Sequence, residues 1–396
     1  MADDNIKRPC EGIRVIEFCT MVSGPFAGQM LADLGAEVIK VEAIGGDPMR
    51  YVRPEHKGIG ALFLHVNRNK KSIGLNLKSP EAIGIARALA ANADVVIENF
   101  RPGVMDRLGL GYENLKAENP GLIFVSISGF GTSGPYADRA AYDHVIQGLT
   151  GIMRVSGTAG KPVPVRNIIV DKTASMSATN AILAALLQRE RAGGDGQRIS
   201  VSLLDSFAAF SLPEMIVNHT FLEPGADTRP PVDIYHPLET SDGYVIGHIQ
   251  LDAQFAAACR IFGREELIED PRYCTMAERA MHFEQMWSEF AAPARTMTTG
   301  AIIEAANEHS LPMAPINTVE EFLEDPQGQH SRAHFVHQDP ELGPIRLLGY
   351  PATLEGSPAR VEARAPFLAE HTEELLRELG IDDATIATYK AAGAVQ

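Results

Sequence analysis

An opening β-α-β pattern limits the fold more than any other feature of the chain. Ile13-Arg14-Val15-Ile16-Glu17-Phe18 predicts a strand, Gly24-Pro25 opens a helical run to Leu34 with Gly35 as its C-cap, and Ala36 to Glu42 predicts a second strand. Neighbouring parallel strands need a crossover, so this start specifies a parallel sheet with helices against it. The pattern continues. Ser72 to Lys78, Ala93 to Ile97, Leu122 to Ser128 and Arg198 to Leu203 read as further strands, and Ser79-Pro80 starts another helix with Glu81 in its first turn. At 396 residues the chain is too long for one ordinary core, so two domains are expected.

An α/β start of this kind raises the question of a dinucleotide site. Glu42, at the end of the second strand, stands where such folds place a ribose-binding acid. The first turn, Thr20-Met21-Val22-Ser23-Gly24-Pro25, lacks G-x-G-x-x-G, so the phosphate cradle is missing where it would be needed. The literal pattern does occur at Gly129-Phe130-Gly131-Thr132-Ser133-Gly134, after a strand, but Pro135 and a polar, turn-rich stretch follow it. That context predicts a loop needing positive φ and not a nucleotide-binding turn.

The stretch from Val165 to Gln188 carries the candidate chemistry. An apolar β-branched run, Ile168-Ile169-Val170, leads into Asp171, and an Ala/Leu/Met-rich segment without Gly or Pro follows, predicting a long helix. Asp171 then sits at or beside a helix N-terminus, where two readings are open. It could be an N-cap, accepting hydrogen bonds from the first turn. The sharper reading is a carboxylate nucleophile whose charge the same N–H groups and the helix dipole stabilise at neutral pH. Arg189 and Arg191 with Gly193-Gly194 give the helix a basic end and a stop.

Charge limits the partners. Lys plus Arg is 35 and Asp plus Glu is 51, so the net charge is 35 − 51 = −16. Such a chain repels nucleic acid and anionic lipid, so an anionic ligand needs a local cluster of cations. Arg68, Lys70, Lys71, Lys78, Arg101 and Arg107 are concentrated in one part of the chain. They read either as a solvated surface or as a phosphate site. Cys10, Cys19, Cys259 and Cys274 have no framework or C-x-x-C spacing, which suggests free thiols in a reducing compartment. The polar MADDNIKRPC start and the lack of a long apolar run predict a cytoplasmic protein without a membrane span.

The second half is less regular. Asp205 to Phe221 predicts a helix broken at Pro213, and Glu223 to Pro237 a linker. Gly243 to Gln250 reads as a strand, and Ala253 to Phe262, Met276 to Phe290 and Thr299 to His309 as helices. Short strands between Phe335 and Leu354 and a helix over Thr372 to Tyr389 complete the chain.

Taken together, these stretches resemble the class III CoA-transferases, the family of formyl-CoA transferase and carnitine CoA-transferase. The resemblance runs through VIEF, SGPFAGQMLADLGAEVIKVE, NRNKKSIGLNLK, VVIENFRPGVMDRLGLGYENL and SISGFGTSGPYADRAAYD, and more loosely through DPQ near Pro326 and Glu370-His371-Thr372. It implies a Rossmann-like large domain with a smaller α+β domain, in an interlocked homodimer of linked rings. The implied boundaries are 1–222 for the large domain, 223–231 for the linker, 232–335 for the small domain and 336–396 for a segment returning to the large domain.

By the same resemblance Asp171 falls on the catalytic aspartate. Leu75, Lys78, Asn99, Phe100, Met105 and Arg107 fall on the CoA site, and Met21, Val22 and Ser23 on the loop that meets its nucleotide and pantetheine portions. Ala43 stands where the family carries a basic residue after the second strand's acid. Gly247-His248 is the nearest candidate for the family's glycine-rich lid. The implied activity is transfer of CoA from an acyl-CoA donor to a small carboxylic acid through a covalent aspartyl intermediate, with coenzyme A as substrate and no tightly bound cofactor or metal. Two alternatives stand beside it. The related α-methylacyl-CoA racemases use a His–Asp pair, but aligning Asp143 and Gly151 puts Tyr142 where the His would be, with His144 two residues on. Tyr142 and Asp143, with Gly247 and His248, are therefore candidate substrate-pocket residues. A non-catalytic CoA-binding protein is the other alternative.

Overall fold

A computed structural model describes residues 7–157, 160–229 and 233–396. The predicted strands assemble into one six-stranded sheet: β1 (Arg14–Phe18), β2 (Glu37–Glu42), β3 (Lys71–Gly74), β4 (Val95–Glu98), β5 (Ile123–Ser128) and β6 (Arg198–Ser202). Their order is β3-β2-β1-β4-β5-β6, and every neighbouring pair is parallel. This is the strand order of a doubly wound Rossmann-type sheet.

A parallel sheet covered on both faces must be apolar on both, and the strands obey this. Ile16, Ile39, Val96 and Phe124 face one core, with Ile85 and Leu89 of helix α2 (Pro80–Ala91). Their neighbours Val15, Val38, Val95 and Ile97 face the other core, with Leu31 of α1 (Ser23–Asp33) and Ile182 of α5 (Ile169–Ala192). Between α2 and α5 lie α3 (Val104–Arg107) and α4 (Asp143–Thr150), and α6 (Leu203–Met215) follows β6.

Contacts divide the chain into two compact units, Met1–Met215 with Ser331–Gln396, and Ile216–His330. The boundary expected between 231 and 232 lies outside the described residues. The second unit has a small antiparallel sheet of β7 (Leu238–Glu239), β8 (Tyr244–Gly247) and β9 (Met313–Pro315), ordered β9-β8-β7. Its core gathers Val245, Phe255, Trp287, Phe290 and Ile302. Helices α7 (Asp252–Ile261), α8 (Phe283–Ala294) and α9 (Thr299–Glu308) supply four of these five residues.

The C-terminal segment returns to the first unit. A hairpin of β10 (His334–Asp339) and β11 (Gly343–Leu348) leads to α10 (Thr372–Glu378) and α11 (Asp383–Ala391). Leu375, Leu376 and Ile386 join the α2-side core. The last residues then close onto the end of β3. Val395 bridges Leu75, and the Gln396 N–H donates to the Gly74 carbonyl at 3.1 Å.

Several local expectations need correction. The third strand ends at Gly74, not Lys78, because the chain enters a turn closed by the Ser79 N–H on the Asn76 carbonyl at 2.8 Å. The single C-terminal helix is two, parted at Gly380, whose φ of 79° stops the first. Pro213 lies inside α6, which ends two residues later at Met215. Helix α5 begins within the β-branched run Ile168-Ile169-Val170, with Ile168 as the N-cap.

Candidate active site

In open parallel sheets, ligands bind beyond the carboxyl ends of the strands where the winding reverses. Here that point lies between β1 and β4. Beyond β1 the chain turns through Cys19-Thr20-Met21-Val22 into α1, and beyond β4 it continues as Asn99-Phe100. Asn99 ties the two turns together. Its side chain accepts from the Thr20 N–H at 3.0 Å and donates to the Thr20 carbonyl at 2.8 Å.

Two cavities open on either side of this tie, and Thr20 and Phe100 line both. One, of about 680 Å³, lies over the β1-β2-β3 half and is lined by Ala43, Gly45, Gly46, Leu75 and Lys78. The other, of about 600 Å³, lies over the β4-β5-β6 half. It is lined by Met21, Val22, Ser23, Asn99, Tyr142, Asp143 and Asp171. Gly129 also lines it, and only glycine fits there, because a Cβ would stand 2.3 Å from that of Ala141.

Asp171 is not the N-cap. It is the third residue of α5, and no side chain of the N-cap residue itself bonds the helix. The free N–H groups are taken from another helix. Asp143, at the start of α4, accepts from the Val170 N–H at 2.7 Å and the Asp171 N–H at 3.3 Å. Gln147, one turn on, donates to the other Asp143 oxygen at 2.6 Å and clasps Val165 through its N–H at 3.0 Å. With the cap filled by Asp143, the Asp171 carboxylate is left for the cavity.

Its electrostatics differ from the sequence expectation. Burial is the largest effect and raises the Asp171 pKa to about 6. The Asp143 charge adds to the rise, and a hydrogen bond from the Ser23 side chain opposes it. At neutral pH the group is still mostly ionised, so it is a desolvated carboxylate at the mouth of a cavity.

The residues matched by the CoA-transferase family III profile run from 10 to 372, nearly the whole chain. The chain belongs to CoA-transferase family III. It is 37% identical to the succinate–glutarate CoA-transferase of Agrobacterium fabrum, covering 95% of this chain and 96% of that one. It is 34% identical to the succinyl-CoA–D-citramalate CoA-transferase of Chloroflexus aurantiacus, covering 99% of each. A CaiB/BaiF family protein from Brucella suis superposes with a TM-score of 0.84 at 34% identity, covering 94% of this chain and 100% of that one.

The basic cluster of this family III transferase divides in two. Arg68, Lys70 and Lys71 are structural. Arg68 pairs with Asp33 at 2.7 Å, Lys70 with Glu17 at 2.7 Å, and Lys71 with Glu37 at 2.9 Å. They are therefore not a phosphate site. Lys78, Arg101 and Arg107 are exposed, and none has an ion pair among the described residues. Lys78 lines the β1-β2-β3 cavity and Arg101 the other. Arg107 lies on α3 beside Gly103. Glu42 is not free for a ribose, since Arg50 holds it at 2.6 Å and the Ser72 hydroxyl donates to it at 2.6 Å.

Other expected residues are dispersed. Met105 is buried in the α2-side core. Tyr142 is 64% exposed, and its ring stacks on His144 with centroids 6.4 Å apart. His144 lines the same cavity as Asp171. Gly247 and His248 lie in the second unit, lining an apolar cavity of its own with Ile234, Tyr235 and Met313. Gly131 and Gly134 have φ of 82° and 95°, as expected of a turn-rich loop. Sequence reasoning missed the Asp143 cap. Its only trace is Asp143 with Gln147 one helical turn later, and that pattern does not reveal which helix it caps.

Asp143→Asn keeps an oxygen for the Val170 N–H but removes a charge that raises Asp171. The Asp171 pKa is expected to fall below about 6 in a carboxylate ¹³C titration. Asp143→Ala loses the cap as well and is expected to cost about 1–2 kcal/mol in urea unfolding.

Proposed function

We propose that this transferase moves CoA from an acyl-CoA to a carboxylic acid with Asp171 as the covalent nucleophile. One observation carries the reading. The Asp171 carboxylate is desolvated at the switch-point cavity while another residue serves its helix terminus. A carboxylate is a weak nucleophile until it is desolvated and positioned, and both conditions are met here. The names of the relatives support CoA transfer over racemisation or inert binding.

In the proposed sequence, an Asp171 oxygen attacks the thioester carbonyl. The C–S bond breaks, giving a mixed anhydride and CoA thiolate. The thiolate attacks the Asp171 carbonyl and releases the donor acid, leaving an aspartyl-CoA thioester. The acceptor carboxylate attacks that thioester, breaking its C–S bond and expelling CoA thiolate again, to form a second anhydride. The returning thiolate then takes the acceptor's acyl group and restores Asp171. No proton need be transferred, and the thioester free energy is never lost to water. In this reading a backbone N–H beside the cavity, that of Gly129 being one candidate, stabilises the oxyanions.

Asp171→Asn distinguishes a nucleophile from a structural acid. The folded pKa lies above the unfolded value, so ionising Asp171 costs stability as pH rises from about 4 through about 6. The variant is expected to unfold no earlier than wild type at pH 7, in contrast to loss of a cap. Its transferase turnover is expected to fall by several orders of magnitude. Retained acid exchange would defeat the mechanism.

In the same reading CoA lies along the β1-β2-β3 cavity, with Lys78 and Arg107 toward its phosphates and Asn99 and Phe100 between the two cavities. Charge reversal at both Lys78 and Arg107 is expected to weaken CoA binding and flatten its salt dependence in titration calorimetry. Unchanged affinity at low and high salt would remove them from the site.

The functional assembly in this reading is a homodimer of linked rings. The C-terminus closes the first unit on itself at Gly74–Leu75, with the second unit as an excursion from it. Exposed Val145, Leu149, Met176, Leu187 and Phe210 on α4, α5 and α6 supply an apolar surface for a second copy. Linked chains separate only on unfolding, so serial dilution in sedimentation velocity is expected to show no folded monomer.

A further inference from the structure

Four ionic side chains lie buried directly beneath the turn that carries Ser23. Glu17, Lys40 and Lys70 have side-chain exposures of 0%, and so does Asp47. Lys40 Nζ is 3.0 Å from Glu17 and 3.0 Å from Asp47, and Lys70 Nζ is 2.7 Å from Glu17. Burial works against the Glu17 charge, but the Lys70 and Lys40 ammoniums overcome it and hold its carboxyl below the ordinary value. Gly28 of α1 leaves room for this acid, because a Cβ there would stand 2.2 Å from a Glu17 oxygen.

Burying such ions costs several kcal/mol each, and an apolar core of the same volume is often as stable or more so. What the ions provide here is a set of bonds to the irregular turn after β1 and to the first turn of α1. Lys40 donates to the Cys19 carbonyl at 2.7 Å, and Lys70 to the Pro25 carbonyl at 2.7 Å. Asp47 accepts from the Met21 N–H at 3.2 Å. Met21 has a φ of 67°, a left-handed conformation that a non-glycine residue holds only when its surroundings impose it. At the far end of the turn the Ser175 hydroxyl donates to the Ser23 carbonyl at 2.7 Å.

We propose that the Glu17–Lys40–Asp47–Lys70 quartet is a positioning device for the transfer reaction. It holds the Cys19–Val22 turn and the first turn of α1 so that Ser23 stays beside Asp171 in the cavity that both line, with Asp47 as the positioning residue at the middle of the turn. The proposal rests on Asp171 as the nucleophile. None of the four touches the reacting atoms, and their effect passes through Ser23.

Asp47→Ser tests it in the full-length enzyme. A serine keeps the N-cap of the Pro48–Tyr51 turn, which Asp47 serves through the Met49 N–H at 3.0 Å, but is too short to span to Met21 as well. The variant is expected to lose roughly 10–100-fold in kcat, with KM for acyl-CoA changed less than about threefold. Ser23 holds the Asp171 pKa down, so loosening it is expected to move the acid limb of the kcat profile to higher pH. Amide hydrogen exchange at Met21 and Ser23 is expected to quicken. Asp47→Asn keeps the one oxygen that both N–H groups share but turns an amide toward Lys40, so it is expected to recover only part of the kcat.

Wild-type kcat, acid limb and amide exchange in Asp47→Ser would overturn the proposal. So would a raised KM with unchanged kcat, because Asp47 also borders the β1-β2-β3 cavity and would then be acting on CoA directly. Exchange at Met21 and Ser23 reads the restraint without turnover. An active Asp171→Asn would sink the nucleophile reading, whereas an inactive Asp171→Asn beside an unaffected Asp47→Ser would sink this one alone.

Discussion

Winding of a parallel sheet in two directions forces the chain to leave β1 and β4 on opposite faces, and the site depends on that divergence. It opens a crevice at the carboxyl ends of these two strands. The Asn99–Thr20 hydrogen bonds then fix the two diverging turns relative to each other. Everything proposed for catalysis lies within reach of this tie. One cavity extends over β2 and β3, the other over β5 and β6, with Phe100 and Thr20 common to both. A long substrate with a nucleotide at one end and a reacting carbonyl at the other suits a pair of adjoining cavities better than a single pocket.

The chemistry proposed for Asp171 follows from a division of labour between two acids. A helix start offers unsatisfied N–H groups, and a carboxylate that bonds them is stabilised and made less reactive. Asp143 occupies them from α4, so Asp171 meets the opposite environment. Burial and the neighbouring charge raise its pKa to about 6 and leave it less comfortable as an anion. The Ser23 hydrogen bond offsets part of that cost. A reactive carboxylate needs this balance, with enough stabilisation to remain ionised at neutral pH and too little to be inert.

Buried charge is also how an acidic chain holds a turn without regular structure. Glu17, Lys40, Asp47 and Lys70 lie beneath the first turn, and Glu42 with Arg50 and Ser72 lies beside them. In sequence, Arg68, Lys70 and Lys71 look like the phosphate-binding part of a basic cluster, and Glu42 looks like a ribose acid. The basic-cluster reading does not allow for partners far off in the chain, such as Asp33 for Arg68 and Glu17 for Lys70, which turn two of these charges into internal pairs. Lys78, with no such partner among the described residues, remains at a cavity edge.

The sequence by itself determined the parallel sheet, because the strand–helix–strand period at 13–42 admits no other neighbour relation. It also determined the long helix from its Ala/Leu/Met composition and its Gly193 stop, and it singled out Asp171 as the acid at the helix start. These are local consequences of propensity, crossover length and capping, so they can be read from neighbouring residues. Tertiary structure decided which acid caps that helix, which cations are buried, and where the two cavities lie relative to the switch point. It also decided that the C-terminus pairs beside the end of β3, where Gln396 bonds to Gly74 from the far end of the chain. Such pairings depend on distances between residues far apart in sequence, and no local pattern carries that information.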